Sequence, residues 1–444
     1  MSHRLRIALV SDESVGAYMA AGGLRVLNLA LALTRTGHDV AIFAEHRDGV
    51  ADTDSKGNRV GQFENVLFRN IPVFAPETFS SARDRYDLAI AGTLSRRALP
   101  GLMRFGKPIV HDLICPFMLE NRHLHATLPR LKRAAWEKEM ARDFTSLALR
   151  SSVWLVASER QRHFWTGVLT ASNVWRTGYT DPPNVFEIPN GVDEPDLIES
   201  GELSTEVRSL IEKLDAMSNE NRIVVHGGVH AWLAFEPMVY ALASLIRQGI
   251  NVRLYLTGAK PPFGDSALAL GASRFLSMFA EKGLSAHVEP LTWLPYRERF
   301  EVLRRMQLGI NLHAQGLETE ISYRNRLLDF AAAEIPLLTS TGDIVSERMI
   351  DAGIALPIMG LSPDNIASLI ARALDARWGG NYHLACAGFR SAWNWASALK
   401  PLEEAVACAL SARSPIEILG GPPGGIDETA YCALRSFLKN RLRT

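Results

Sequence analysis

Apolar positions fall in short runs with turn signals between them, and the spacing of those runs predicts the architecture. Arg6 to Val10 reads as a β-branched and apolar strand, followed by the loop SDESVGAYMAAGG. Leu24, Leu27 and Leu31 mark one face of a helix that stops at Gly37, and Asp39 to Phe43 reads as the next strand. Strand, glycine-bearing loop, helix and strand make a βαβ unit, which implies a parallel sheet with right-handed crossovers. Further strands are predicted at Asn65 to Phe68, Asp87 to Ala91, Pro108 to His111, Val153 to Val156 and Val185 to Ile188. Most are fully apolar, as strands covered on both faces should be. The segment PNGVDEPDL, Pro189 to Leu197, has the turn chemistry of a linker. Alternation then restarts, with strands at Arg222 to His226, Val252 to Leu256, Ala286 to Val288, Leu308 to Leu312 and Leu337 to Thr339. Their starts lie about 20 to 35 residues apart, the spacing of βα units. The pattern predicts two Rossmann-like, doubly wound α/β domains facing a central cleft, with a ligand between two sets of strand ends.

Beyond residue 360 the chain reads as helical, through NIASLIARALDARW and FRSAWNWASALKPLEEAVACAL. SPIEILGGPPGGI, residues 414–426, is a Pro/Gly linker. A last helix, roughly Glu428 to Arg443, sets Tyr431, Leu434 and Leu438 against Arg435, Lys439, Arg441 and Arg443. It either docks on the protein itself or makes peripheral membrane contact. The expected units are an N-terminal Rossmann-like domain (1–190), a C-terminal Rossmann-like domain (191–385), helices returning to the first domain (386–412) and the linker with its basic tail helix (413–444). The long charged stretch from Glu120 to Arg150 is a solvated helix face or an acceptor-site helix.

At 444 residues and 47% apolar content there is material for two or three domains with sizeable cores. Lys plus Arg equals Asp plus Glu at 48 each, so no global field favours nucleic acid, and any anion must be held by a local site. Cys115, Cys386, Cys408 and Cys432 are far apart without a CxxC pair and read as reduced cytoplasmic thiols. The start, MSHRLRIALVSDE, meets charge too early for a signal peptide, and no run of 18 apolar residues occurs. The expectation is a cytoplasmic protein, at most peripheral to a membrane.

The densest candidate chemistry lies from Gly316 to Gly342, GLETEISYRNRLLDFAAAEIPLLTSTG. A polar loop feeds straight into a helix with Leu327, Phe330 and Ala331 on one face, and Pro336 ends that helix before a buried strand. Exposed amides at such a start suit a phosphate, and Arg324 and Arg326 stand beside them. Asp329, one turn further in, can accept two hydroxyl hydrogen bonds of the kind a ribose offers. Gly22 and Gly23 open the first helix of the first half, either as an opening for a diphosphate or as a plain tight turn. Gly227 and Gly228 follow the first strand of the second half. No GxGxxG fingerprint occurs, so a nicotinamide dehydrogenase is poorly supported. His111, at a strand end, either donates to a sugar hydroxyl or a leaving phosphate or is a hydrogen-bonded structural histidine. Trp293, after the third strand of the second half, either packs on a nucleobase or anchors its loop.

Taken together, the first glycine pair, PNGVD and the Gly316 to Gly342 block resemble the retaining GT-B glycosyltransferases, family 4 in particular. The resemblance implies a GT-B fold in which the second domain holds a nucleotide-diphosphate sugar, the first holds much of the acceptor, and a late helix, here around Trp393 and Trp395, crosses back. The family's paired glutamates, separated by seven residues, make Asp329 the counterpart of the second. Ile321 stands where the first belongs, so Glu318 or Glu320 is implied as the acid that contacts the sugar. LETEISYRNRLLD resembles a variant with an acid, then S/F-R-x-R, then L-D, which brings Ser322 and Tyr323 into the donor site. The basic pair expected after the second glycine turn is missing, and Arg324 and Arg326 are its replacement. No DxD-type metal motif stands out, and no cofactor is expected. The implied activity is metal-independent glycosyl transfer with retention, using His111, Glu318, Arg324 and Arg326 as catalytic groups, to a saccharide, lipid-linked saccharide or small natural product. Another GT-B enzyme, an epimerase or phosphorylase, and a non-catalytic binding subunit are the alternatives.

Overall fold

The computed structural model describes residues 4–46, 52–53, 59–61, 71–126, 128–174, 184–194, 203–217, 219–230, 233–260, 266–376 and 378–414. The strand expected at Asn65 to Phe68, the linker beyond Ser414 and the final basic helix lie outside the described residues.

The first half contributes strands β1 (Arg6–Val15), β2 (Asp39–His46), β3 (Asp52–Thr53), β4 (Arg59–Gly61), β5 (Val73–Phe74), β6 (Leu88–Gly92), β7 (Ile109–Asp112), β8 (Val153–Val156) and β9 (Val185–Glu187). They form one sheet in the order β3-β4-β5-β2-β1-β6-β7-β8-β9, parallel throughout except where β3 and β4 add antiparallel at one edge. β7 and β8 are buried at every position, and helices cover both faces. In helix Ala21–Arg35 Leu27 is buried and Leu24 and Leu31 are half-buried. Arg25 is buried with them, which the apolar pattern did not predict.

The second half contributes β10 (Asn221–Val225), β11 (Val252–Lys260), β12 (Val288–Thr292), β13 (Leu308–Asn311), β14 (Leu337–Ser340) and β15 (Ala355–Ile358) in the order β12-β11-β10-β13-β14-β15, all parallel. That is the order of a doubly wound sheet, reversing at β10, and the ligand crevice of such a sheet lies beyond the strand ends at the reversal. The expected helix after the polar loop runs Asn325–Ala333 with Leu327, Phe330 and Ala331 buried. Ahead of it, Leu317–Ile321 makes a short helix of its own and Ser322 is extended.

The chain crosses between the halves twice, side by side. Val192 of the linker bridges in parallel to Asn394, and Val192 N donates to Trp393 O at 2.7 Å. Helix Gly380–Trp393 still packs on the second half, through Tyr382, Cys386 and Phe389. The boundary expected at residue 386 therefore falls inside a continuous helix, and the return begins at Asn394. Helix Leu402–Ser411 then buries Leu402, Ala405, Val406 and Ala409 against the first half. Among the described residues, no helix is long and apolar enough to cross a membrane.

Candidate active site

A cavity of about 230 Å³ opens between the halves at the reversal of the second sheet. From the first half it is lined by the residues before helix Ala21–Arg35 and by Glu120; from the second, by the turn after β10, by β11, by Trp293 and by the start of helix Asn325–Ala333. Of the sequence-derived candidates, Gly227, Gly228, Trp293, Tyr323, Arg324, Arg326 and Asp329 come together here.

The glycine turn is held from three sides. Gly227 has φ +81°, a left-handed conformation that a side chain would strain, and its amide donates to Thr257 Oγ at 3.0 Å. Gly258 packs so closely that an added Cβ would stand 3.1 Å from the Gly227 carbonyl carbon and 3.2 Å from the Trp293 ring. Arg326 Nη1 braces the turn from the third side, donating to the carbonyls of His226 (3.1 Å) and Gly228 (3.2 Å). A cation thus reaches the turn from a loop about 100 residues away in sequence, where no Lys or Arg follows the turn itself.

The three cleft arginines differ in their partners. Arg299 donates to both oxygens of Asp329 at 2.9 Å and to Asp193 Oδ2 at 2.6 Å, so its charge is fully opposed. Arg324, only 7% exposed, is matched by Glu318 at 2.6 Å, which also accepts from Ser322 Oγ at 2.7 Å. Arg326 has no carboxylate within salt-bridge distance among the described residues. Burial, and then the neighbouring Arg324, pull the Arg326 guanidinium down to about 9. Burial and the same two arginines hold the His230 and His313 imidazoles neutral, at about 3 and about 2. Three arginines and two carboxylates, Glu120 and Asp329, thus line the cavity beside a helix N-terminus, and a buried donor, Arg324 Nε, has no hydrogen-bond partner among the described residues.

Asp329 does not have two free oxygens for a ribose. It already receives Arg299 Nε, Arg299 Nη2 and His226 Nε2, the last at 2.8 Å. A carboxylate offers about four acceptor positions, so one remains. Burial opposes its charge, but Arg299 and His226 outweigh burial and hold the carboxyl well below its usual range. The floor continues as a relay of hydrogen bonds: Thr257 Oγ lies 2.8 Å from His226 Nδ1, and Tyr296 and Trp395 both donate to Asp193.

Other candidates are placed differently. His111 is fully buried and is not among the residues lining this cavity; its Nε2 lies 2.9 Å from Thr93 O, and burial lowers it to about 4. It is placed as a hydrogen-bonded histidine inside the sheet, and the next strand residue, Asp112, pairs with Arg25. Glu320 is exposed on the far side of its short helix, and Glu318, the inward acid, is spent on Arg324. Gly22 and Gly23 are not among the residues lining this cavity, and both are closely packed: a Cβ at Gly22 would collide with the Glu13 side chain, and one at Gly23 with the Ser14 carbonyl. These glycines serve close packing of helix on loop.

Glu120 is the acid that the sequence did not single out. It sits in helix Phe117–Leu124 and borders both this cavity and a second one in the first half. Burial, and then the negative charge of Glu318, push its carboxyl up to about 7, which Arg324 partly offsets. Nothing local in PFMLENRHL marks it, since its neighbours come from loops far along the chain.

No family model matches this chain, and no curated protein matches it. Solved structures do. Sucrose-phosphate synthase from Thermosynechococcus elongatus superimposes with a TM-score of 0.62 at 14% identity, over 92% of this chain and all of that one. Anabaena HepE in complex with UDP-glucose gives 0.60 at 13% identity, over 91% and 100%. WaaG, a glycosyltransferase of lipopolysaccharide biosynthesis, gives 0.57 at 14% identity, over 90% and 99%. Two facing parallel-sheet domains in these orders, matched end to end by such neighbours, define the GT-B fold.

Proposed function

We propose that the protein transfers a glycosyl group from a nucleoside diphosphate sugar to an acceptor hydroxyl or amine, without a metal and with retention. One observation carries the reading: Arg326, lacking a carboxylate partner, is held against the glycine turn and beside a helix N-terminus in the interdomain cleft. A diphosphate there would meet guanidinium groups and backbone amides as its bond to the anomeric carbon breaks. An ion about 4 Å from an unopposed guanidinium gains on the order of 4 kcal/mol at an effective dielectric constant of 20, enough to hold a leaving group whose charge is growing. Trp293 offers a face to the base, and Asp329 has one acceptor position for a ribose hydroxyl. Uridine is the first base to try, since HepE is a neighbour solved with UDP and with UDP-glucose. The arginine beside the glycine turn also weighs against a purely non-catalytic subunit, the reading that a missing basic pair would have favoured.

Arg324→Ala and Arg326→Ala should each lower turnover at least about tenfold, the equivalent of about 1.4 kcal/mol in the transition state, with the fold intact. Arg326→Ala should also weaken UDP binding by calorimetry. Full transfer rates from folded forms of both variants would refute the proposal.

A further inference from the structure

The second cavity, about 250 Å³, lies wholly within the first half, at the ends of β1, β6 and β7. Asp12, Glu13, Asp112 and Glu120 line it, and Arg25 is its one basic residue. Arg25 cannot serve an anion, because its Nε lies 2.7 Å from Asp112 Oδ2 and 2.9 Å from Oδ1, and the pair is buried. Its Nη1 donates to Ile188 O (2.8 Å) and Asn190 Oδ1 (2.9 Å). Its Nη2, on a side chain 1% exposed, has no hydrogen-bond partner among the described residues. An orphaned donor in a cavity wall asks for an oxygen, and with the charge already opposed a neutral hydroxyl suffices. Asp12 accepts from the amides of Arg96 (2.7 Å) and Arg97 (3.3 Å).

The two cavities have opposite electrostatic character and meet at Glu120. We propose that the second cavity receives the acceptor, that the part of the acceptor entering it is a neutral polyol or an amine without phosphate or carboxylate, and that Glu120 contacts the acceptor. This rests on the glycosyl-transfer reading above. The acceptor O–H or N–H attacks the anomeric carbon, the bond from that carbon to the diphosphate oxygen breaks, and the electron pair leaves with the diphosphate. For retention the attack comes from the face the diphosphate leaves, so the acceptor's proton passes to the departing diphosphate oxygen while Glu120 accepts a hydrogen bond from the acceptor's remaining polar group. Glu318, Arg324, Cys115 and Glu13 face Glu120 and set its charge, so at neutral pH a share of it is ionised and able to accept that hydrogen bond. An acceptor bearing a phosphate or carboxylate would be driven off by like charge on several sides.

The test is saturation-transfer NMR on the full chain loaded with UDP, using glucosamine, glucose, glucose 6-phosphate and glucuronate as probes. Glucosamine and glucose should bind at least about tenfold tighter than the two anions, and Glu120→Gln, which removes one negative charge, should narrow that ratio. Glucose 6-phosphate or glucuronate binding as well as glucosamine would overturn the proposal. Nucleotide affinity, measured by calorimetry with UDP, GDP, ADP and dTDP, separates the two failures: a nucleotide bound with an anionic acceptor preference sinks only the acceptor class, whereas binding of none of the four sinks the transfer reading itself.

Discussion

His111 shows what burial does to a residue whose position in the chain invites a catalytic role. Its ring packs 5.6 Å from Phe144, and its Nε2 is committed to the Thr93 carbonyl. The folded protein keeps it neutral down to about 4, against 6.5 unfolded. Between those values the unfolded chain binds more protons than the folded one, so stability present above pH 6.5 is lost as pH falls toward 4. At pH 5 the loss from this one group is about 2 kcal/mol. His111→Asn, which keeps an amide donor for Thr93, should therefore remove that part of the acid sensitivity while leaving UDP binding unchanged. Urea denaturation of both proteins at pH 7 and pH 5 checks it; an equal pH response would show that the ring titrates freely. Arg324 and Arg326 were legible because a polar, arginine-bearing loop ahead of an apolar helical repeat is a local signal. Arg299 and Glu120 were not, because what makes them important is contact with Asp193, Asp329 and Glu318, from 30 to almost 200 residues away.

Helix Asn325–Ala333 translates core packing into site geometry. Its inner face seats Phe330 directly on Gly309 of β13, where an added Cβ would collide with the ring, and its outer start presents Arg324, Asn325 and Arg326 to the cleft. Gly309→Ala should force the ring aside at about 1–3 kcal/mol and tilt the helix with it. The melting temperature should fall and UDP binding weaken, although residue 309 lines no cavity. Adding Phe330→Leu should restore part of both, and a Gly309→Ala protein with unchanged melting would disprove the close fit. This helix and the central strands were readable because their burial is periodic or complete. β15 was missed: it is an edge strand of four residues with Leu356 exposed and Pro357 within it, so neither alternation nor a full apolar run appears.

At the scale of the whole chain, the repeat of βα units announced two doubly wound halves, and the restart after PNGVD located the join. How the halves are held together was not readable, since it depends on a chain of side chains from three distant segments. Arg25 of the first half donates to Asn190 of the linker, Asn190 donates to Asn325 at 2.7 Å, and Tyr323 donates to the Asn190 carbonyl at 2.9 Å. Arg160 adds a second tie, to Gly342 O and Glu347. The next linker residue, Gly191, lies against the returning segment so closely that a Cβ would collide with the Trp395 backbone, which a rotamer change cannot relieve. Gly191→Ala must therefore push the two crossings apart, and with them Asn190, the contact that sets Asn325 and Tyr323 at the mouth of the cleft. The expected result is a lower melting temperature together with at least about a tenfold loss of UDP affinity, about 1.4 kcal/mol, with no cleft side chain altered and secondary structure unchanged by circular dichroism. If UDP affinity and melting both matched the unsubstituted protein, the crossing would have room that the packing denies, and the coupling of domain arrangement to donor binding would fall with it.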